Sequence, residues 1–276
     1  MPFWTQPSSA SSGNNKNNKN DAVSENRVAY QDPQVTFCVE HLQAHWETLR
    51  DEYLQVAPHI PSDYNTTTTS NHDATTTTME HATLHDGSWD WHSYMRKGKI
   101  ASDEHHDHNH FGKHFPQTTR VLQVLRDEGL LFEGTPFGYT FYSTLHGNSK
   151  IAPHTAPMNF RLRIHLPLIV PTMTATTMTN GDDDSDNDNT DPKEAHHHRP
   201  PCGIQVGPLV REWIPGQALV LDDSYRHAVW NDTDSKRVIL LVDIWHPDVT
   251  PRERHEIVDM FAQAAQQQAR NAVWQG

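Results

Sequence analysis

Ala152-Pro153-His154-Thr155-Ala156-Pro157-Met158-Asn159-Phe160-Arg161-Leu162-Arg163-Ile164-His165-Leu166-Pro167-Leu168 is the stretch that decides how the chain folds. From Phe160 onward, polar and apolar residues alternate. Successive side chains of a strand point to opposite faces. Arg161, Arg163 and His165 therefore share one face, and Leu162, Ile164, Leu166 and Leu168 share the other. On an outer face the polar trio is simply hydrated. Inside a barrel it would gather two guanidiniums and an imidazole into an anion site. The residues alone leave both arrangements open.

The same two-residue period recurs downstream and just upstream. Residues 139–145, 160–169, 204–206, 218–221, 227–230 and 238–245 read as strands, with Gly and Pro at the turns between them. Short strands at this spacing predict a sandwich or barrel. A second polar fragment, Asp222-Asp223-Ser224-Tyr225-Arg226-His227-Ala228-Val229-Trp230-Asn231, opens with a turn composition, so Asp222 and Asp223 read as turn formers. Residues 231–235 supply another turn and Arg237 begins the next strand. A hairpin symmetric about Asp232 would set His227 opposite Arg237, about 5 Å apart at Cβ.

Helical periods flank this region. Leu42, Trp46, Leu49, Tyr53 and Val56 line one face of a helix expected over 35–57. Residues 116–126 predict a short helix with Val121, Leu122 and Leu125 inward. Thr250, Pro251 and Glu253 form a capping box for a last helix whose apolar face continues with Ile257 and Phe261. Trp89-Asp90-Trp91, running on to Tyr94, reads as core packing, or else as part of a substrate mouth.

The chain has 276 residues, and its formal net charge is −13. That balance argues against a nucleic-acid partner, which would need a basic face. Two cysteines, Cys38 and Cys202, give no disulfide framework. No secretory signal and no run of apolar residues long enough for a membrane span is visible, so a cytoplasmic location is expected. Residues 1–30, rich in Ser, Asn and Lys, read as a disordered tail, and 31–276 as a single domain. Residues 62–80 and 172–201 read as low-complexity loop insertions, the second carrying Asp182-Asp183-Asp184 without calcium-loop spacing. Two histidine clusters (His105, His106, His108, His110 and His114, then His196, His197 and His198) read as composition-biased loops.

Several short texts now combine: Pro153-His154 with Pro157 and Asn159; Arg161-Leu162-Arg163-Ile164-His165-Leu166; Asp222-Asp223-Ser224 with His227, Val229 and Trp230; Arg237; and Val242-Asp243-Ile244-Trp245-His246-Pro247. Together they make residues 143–247 resemble the catalytic domain of the aspartyl/asparaginyl β-hydroxylase family. The resemblance implies a mainly β fold, a double-stranded β-helix (jelly-roll or cupin-like) with flanking N- and C-terminal helices. It implies an iron(II)- and 2-oxoglutarate-dependent dioxygenase, with 2-oxoglutarate and dioxygen as cosubstrates. His154 and His227 would be the iron ligands. Arg237 and the Ser143 hydroxyl would hold the distal carboxylate of 2-oxoglutarate, and Arg163 and His165 its metal-chelating end. Most such enzymes add a carboxylate two residues after the first histidine. Here that position is Ala156, and the family also lacks that ligand. The implied substrate is an Asp or Asn side chain of a protein or peptide, or a small amino-acid-like molecule. The alternatives are a cupin-like metal-binding or sensing protein without turnover, and a zinc hydrolase using the same histidines.

Overall fold

A computed structural model describes residues 3–4, 32–67, 84–100, 111–171 and 199–273. Thirteen strands occupy Phe3–Trp4 (β1), Tyr64–Thr67 (β2), Leu84–Asp86 (β3), Ser88–Arg96 (β4), Lys99–Ile100 (β5), Thr140–Leu145 (β6), Ser149–His154 (β7), Arg161–Ile169 (β8), Cys202–Val206 (β9), Leu209–Arg211 (β10), Leu219–Leu221 (β11), His227–Asn231 (β12) and Arg237–Trp245 (β13). Five α-helices occupy Pro33–Ala44 (α1), Trp46–Val56 (α2), Phe111–His114 (α3), Pro116–Asp127 (α4) and Pro251–Val273 (α5).

The strands form two antiparallel sheets. The larger runs β1-β11-β8-β13-β6-β4-β2, with β5 paired to β4, and the smaller runs β10-β9-β12-β7-β3. From β6 on, the chain passes between them: β6 large, β7 small, β8 large, β9 and β10 small, β11 large, β12 small, β13 large. A chain wound in this way is a double-stranded β-helix, with one face of each sheet turned to a shared interior. The expected fold class stands, and the expected alternation in β8 stands with it.

Two cores follow from this alternation. Leu162, Ile164, Leu166 and Leu168 of β8, and Val238, Leu240 and Val242 of β13, face outward. Leu42, Leu49, Leu122 and Leu125 of α1, α2 and α4 cover them. Phe141, Ile239, Leu241, Ile151, Ile204, Val206 and Val229 fill the space between the sheets. The Glu52 carboxylate ties the helical layer together by accepting from Gln117 N and Thr118 N, both at 2.8 Å, at the start of α4. It does there what a capping side chain does.

Several sequence expectations change. The helix expected over 35–57 is two helices and a 3₁₀ turn (Ala57–His59), broken at His45. The His45 ring Nδ1 bonds the His41 carbonyl at 2.8 Å, and its backbone N–H turns to Leu42 O at 3.2 Å. The side chain thus replaces the helical backbone bond. Phe3 and Trp4 lie in a strand rather than a disordered tail, with Phe3 buried between the sheets. Residues 64–67, expected as loop, pair with β4. Trp89, Trp91 and Tyr94 are core residues of β4. The capping box forms as read, with Thr250 N and Oγ1 donating to Glu253 Oε2 at 2.8 and 2.7 Å and Glu253 N returning to Thr250 Oγ1. The remaining residues of the tail, residues 68–80 and 172–198 of the two insertions and, apart from His114, the histidine clusters lie outside the described residues.

Candidate active site

The two histidines meet because of an irregularity in β7. Val229 pairs with Ile151, so strict alternation would set His227 opposite Pro153. The register slips instead, and His227 is the Cα partner of His154. A β-bulge of this kind inserts one residue and re-aims the next side chain, and Pro153 is a residue that bulges tolerate. The slip puts His154 on the face of His227, with ring centroids 4.1 Å apart and planes at 55°.

Both rings are oriented in the same way. His154 Nδ1 bonds Ala152 O at 2.8 Å, and His227 Nδ1 bonds Tyr225 O at 2.9 Å. Carbonyls only accept, so Nδ1 is the protonated nitrogen in each ring and Nε2 keeps its lone pair. Burial pushes His154 below its usual range, against the pull of the Ala152 carbonyl. Burial, and then the His154 ring, push His227 down to about 4. At neutral pH the pair is uncharged, the state a metal ion requires. Among the described residues no group of three or more His, Cys, Asp or Glu is placed to hold a metal, in keeping with alanine at 156.

His227 and Arg237 are not cross-strand neighbours. β12 pairs with β7 and β9 in the small sheet, and β13 with β6 and β8 in the large one. Asn231 makes the difference. Its Nδ2 donates to Leu145 O, His146 O and Ser235 O, and its Oδ1 accepts from Thr233 Oγ1. That buried amide carries the chain across to the other sheet in place of a hairpin.

Arg237 is 1% exposed. Its Nη1 donates to Ser143 O and Oγ, both at 3.2 Å, and Ser143 Oγ also accepts from Trp89 Nε1 at 2.8 Å. Among the described residues the Arg237 Nε has no hydrogen-bond partner, and no carboxylate lies within ion-pair distance of its guanidinium. Burial lowers its pKa to about 10. An uncompensated charge in such a place is costly. His165 stands on the same interior face, with no partner for Nδ1 among the described residues, and burial followed by Arg163 and Arg237 holds it well below its usual range.

Arg163 is engaged. Its Nε and Nη2 donate to Asp243 at 2.7 and 3.0 Å, and its Nη1 lies 3.2 Å from Asp223. Arg161 pairs with the same two carboxylates, at 2.5 Å to Asp223 and 2.8 Å to Asp243, and also donates to Phe137 O. Burial would raise the Asp223 carboxyl, but Arg163 and Arg161 outweigh it and hold the group well below the usual carboxylate range. Asp222 is a turn former, accepting from Ser224 N at 2.9 Å. Asp223 is more than that. Its carboxylate completes a buried quartet, and its carbonyl accepts from Ala156 N at 2.8 Å. Asp223 therefore joins the loop after His154 to the turn before His227. Nothing in the sequence marked this role, because Asp beside Asp and Ser carries the same turn signal whether it faces water or two arginines.

A cleft of about 710 Å³ lies elsewhere, lined by Arg126, Leu131, Trp245, Arg254, His255 and neighbouring residues of α4, β5 and α5. It contains none of the residues above.

The sequence matches the family described as aspartyl/asparaginyl beta-hydroxylase over residues 43–247. The aspartyl/asparaginyl beta-hydroxylase of Mus musculus is 27% identical over 80% of this chain and 23% of its own length, and the Homo sapiens protein gives the same figures. The Homo sapiens aspartate beta-hydroxylase domain-containing protein 2 is 31% identical over 53% of this chain and 32% of its own length. The chain thus spans about a quarter to a third of these relatives. A solved Pseudomonas putida prolyl-4-hydroxylase is 10% identical with a TM-score of 0.32, covering 75% of this chain and 87% of that one. With the family match running through both histidines and Arg237, the chain belongs to the aspartyl/asparaginyl β-hydroxylase family.

Proposed function

We propose that the chain is an iron(II)- and 2-oxoglutarate-dependent dioxygenase that hydroxylates an unactivated C–H bond of an Asp- or Asn-type peptidyl side chain. The observation that carries this reading is Arg237, a buried cation without a carboxylate partner among the described residues. It shares the interior between the sheets with two neutral histidines whose Nε2 lone pairs are free of hydrogen bonds to Ala152 and Tyr225.

The residues fit the groups the family uses. Imidazole suits ferrous iron, and guanidinium binds a carboxylate through paired N–H groups. His154 and His227 would hold the metal through Nε2, with water and cosubstrate oxygens in the other positions. Arg237 and Ser143 would hold the distal carboxylate of 2-oxoglutarate. His165, and the two N–H groups of Arg163 not spent on Asp243 and Asp223, would face its other end. Bound there, metal, dioxygen and 2-oxoglutarate supply the oxidising power for C–H hydroxylation and leave succinate and carbon dioxide.

The protein's own part is positional. The Ala152 and Tyr225 carbonyls fix the tautomers of the two ligands. The quartet of Arg161, Arg163, Asp223 and Asp243 fixes the loops that carry them. The apolar packing of Phe141, Leu241, Ile204 and Val206 keeps water from the space between the sheets. The substrate class rests on the names of the relatives. The reading is tested by incubating protein, iron(II), 2-oxoglutarate and air with Asp- and Asn-containing peptides. Succinate formation and a one-oxygen mass gain on the peptide are expected. Absence of succinate at every iron(II) concentration contradicts the proposal.

A further inference from the structure

We infer that Trp213 belongs to the dicarboxylate pocket, as a third donor to the distal carboxylate through its indole Nε1–H and as the wall along the carbon chain. The inference rests on the 2-oxoglutarate reading above and names a residue that reading does not use.

Trp213 lies between β10 and β11, in a loop with little freedom. Gln217 N bonds Ile214 O at 2.9 Å, and Gly216 N bonds Pro167 O of β8 at 2.9 Å. Gly216 has φ +77°, and a Cβ there would stand 2.9 Å from the Trp46 ring. Only glycine lets the turn sit this close to α2. The loop is thereby fixed to the large sheet on one side and to the helical layer on the other, and it delivers the indole into the core between the sheets.

There the ring meets both ends of the proposed pocket. It stacks 4.7 Å from the Arg237 guanidinium carbon, and its centroid is 6.1 Å from that of His165 with a 36° tilt. Three adjoining groups each carry a buried nitrogen without a partner among the described residues: Nε of Arg237, Nδ1 of His165 and Nε1 of Trp213. Buried indole N–H groups are ordinarily paired. Three nitrogens without partners among the described residues, on the Trp213 ring and on the two residues that flank it, mark a place where the partner is a ligand. Trp89 and Trp91 offer a contrast. Trp89 Nε1 is spent on Ser143, and Trp91 Nε1 also lacks a partner among the described residues, but the Trp91 ring is stacked between Tyr64 and Phe141, both at 4.2 Å, and not on Arg237 or His165. A neutral donor beside Arg237 suits an anionic oxygen without requiring a second counter-charge. A rigid indole spanning the space from Arg237 to His165 suits a chain of fixed length between two carboxylates.

The test uses the zinc(II)-loaded, diamagnetic wild-type protein with 15N-labelled indoles. The eight tryptophans give resolvable N–H lines. The Trp213 line is assigned by its loss in Trp213→Phe and by its through-space contact to Arg237. Titration with 2-oxoglutarate should move this line downfield to saturation, and Arg237→Met should abolish the shift. In calorimetry Trp213→Phe should weaken 2-oxoglutarate binding roughly tenfold, the size of one hydrogen bond to a charged acceptor. If wild type binds 2-oxoglutarate while the Trp213 line stays still, the inference fails and the cosubstrate reading survives. If wild type shows no binding at all, the cosubstrate reading itself fails. Should Trp213→Phe not fold, the wild-type line, assigned from its contact to Arg237, decides alone.

Discussion

Arg237 donates to Ser143 twice from a single nitrogen, Nη1 to O and to Oγ at 3.2 Å each, while its Nε has no hydrogen-bond partner among the described residues. Among the described residues this buried charge therefore has no compensating carboxylate. Exchanging such a charge for an apolar side chain of similar size is often neutral or stabilising by about 1–4 kcal/mol. Arg237→Met should melt at or above the temperature of wild type without ligand. It should also lose the rise in melting temperature that 2-oxoglutarate gives the wild-type protein. Thermal melts with and without 2-oxoglutarate check both halves, and a variant that melts lower but still responds to the ligand would count against the assignment.

Arg161 and Asp223 make the opposite case, because every charge of their quartet is compensated. Removing one member strands a buried partner, at a cost of about 3–5 kcal/mol. Asp223→Asn and Arg161→Met should each destabilise by that order, and the double variant should cost less than the two together. Denaturant melts measure the coupling. The Asp223 carboxylate also anchors, through Arg161 and Arg163, the turn before His227 whose Asp223 carbonyl holds Ala156, so loosening that anchor in Asp223→Asn should weaken metal binding by roughly 10–100-fold, as expected for a group that orients ligands.

His154→Ala should separate metal binding from folding. The side chain is half-buried and makes one hydrogen bond, to Ala152. Its removal should change stability by no more than about 1 kcal/mol and abolish divalent-metal binding in a calorimetric titration. Retained tight binding would move the metal site elsewhere.

Acid should act in two separate windows. His227 is lowered to about 4 when folded, by burial and then by His154. Unfolded, it titrates near its ordinary value of about 6.5. Between these values the unfolded chain binds the extra proton, so stability falls as pH falls from about 6.5 towards 4. The loss from His227 is about 2 kcal/mol by pH 5. His154 and His165 are shifted in the same direction. Asp223, depressed in the folded state by Arg163 and Arg161 against its burial, contributes stability above the unfolded carboxylate value and loses it only below about pH 4. Melting the metal-free protein at pH 7, 5 and 3.5 should show both steps. A stability unchanged from pH 7 to 5 would contradict neutral, buried histidines.

The sequence made some of this plain and hid the rest for definite reasons. The alternation in β8 was legible because every outward residue is Leu or Ile and every inward one from Arg161 to His165 is charged or an imidazole. The capping box at Thr250 was legible because it is local. β7 was not, since Pro153 and the bulge break the period just where His154 is aimed. The crossing from β12 to β13 was hidden because the composition of residues 231–235 signals a change of direction but not which sheet receives the chain. Asn231, Asp243 and Trp213 take their roles from partners 60 or more residues away in some cases and from a single stacked side chain in others, so no local pattern could announce them.

The most direct measurement is the visible absorption of the anaerobic protein as iron(II) and then 2-oxoglutarate are added. Chelation of the metal by the 2-oxo acid produces a charge-transfer band that neither component gives alone. Wild type should develop this band, saturating with one equivalent of each. His154→Ala should not develop it, and Arg237→Met should require far more 2-oxoglutarate. A protein that folds, is saturated with both, and shows no band would contradict the assignment of His154, His227 and Arg237 to one iron and 2-oxoglutarate site.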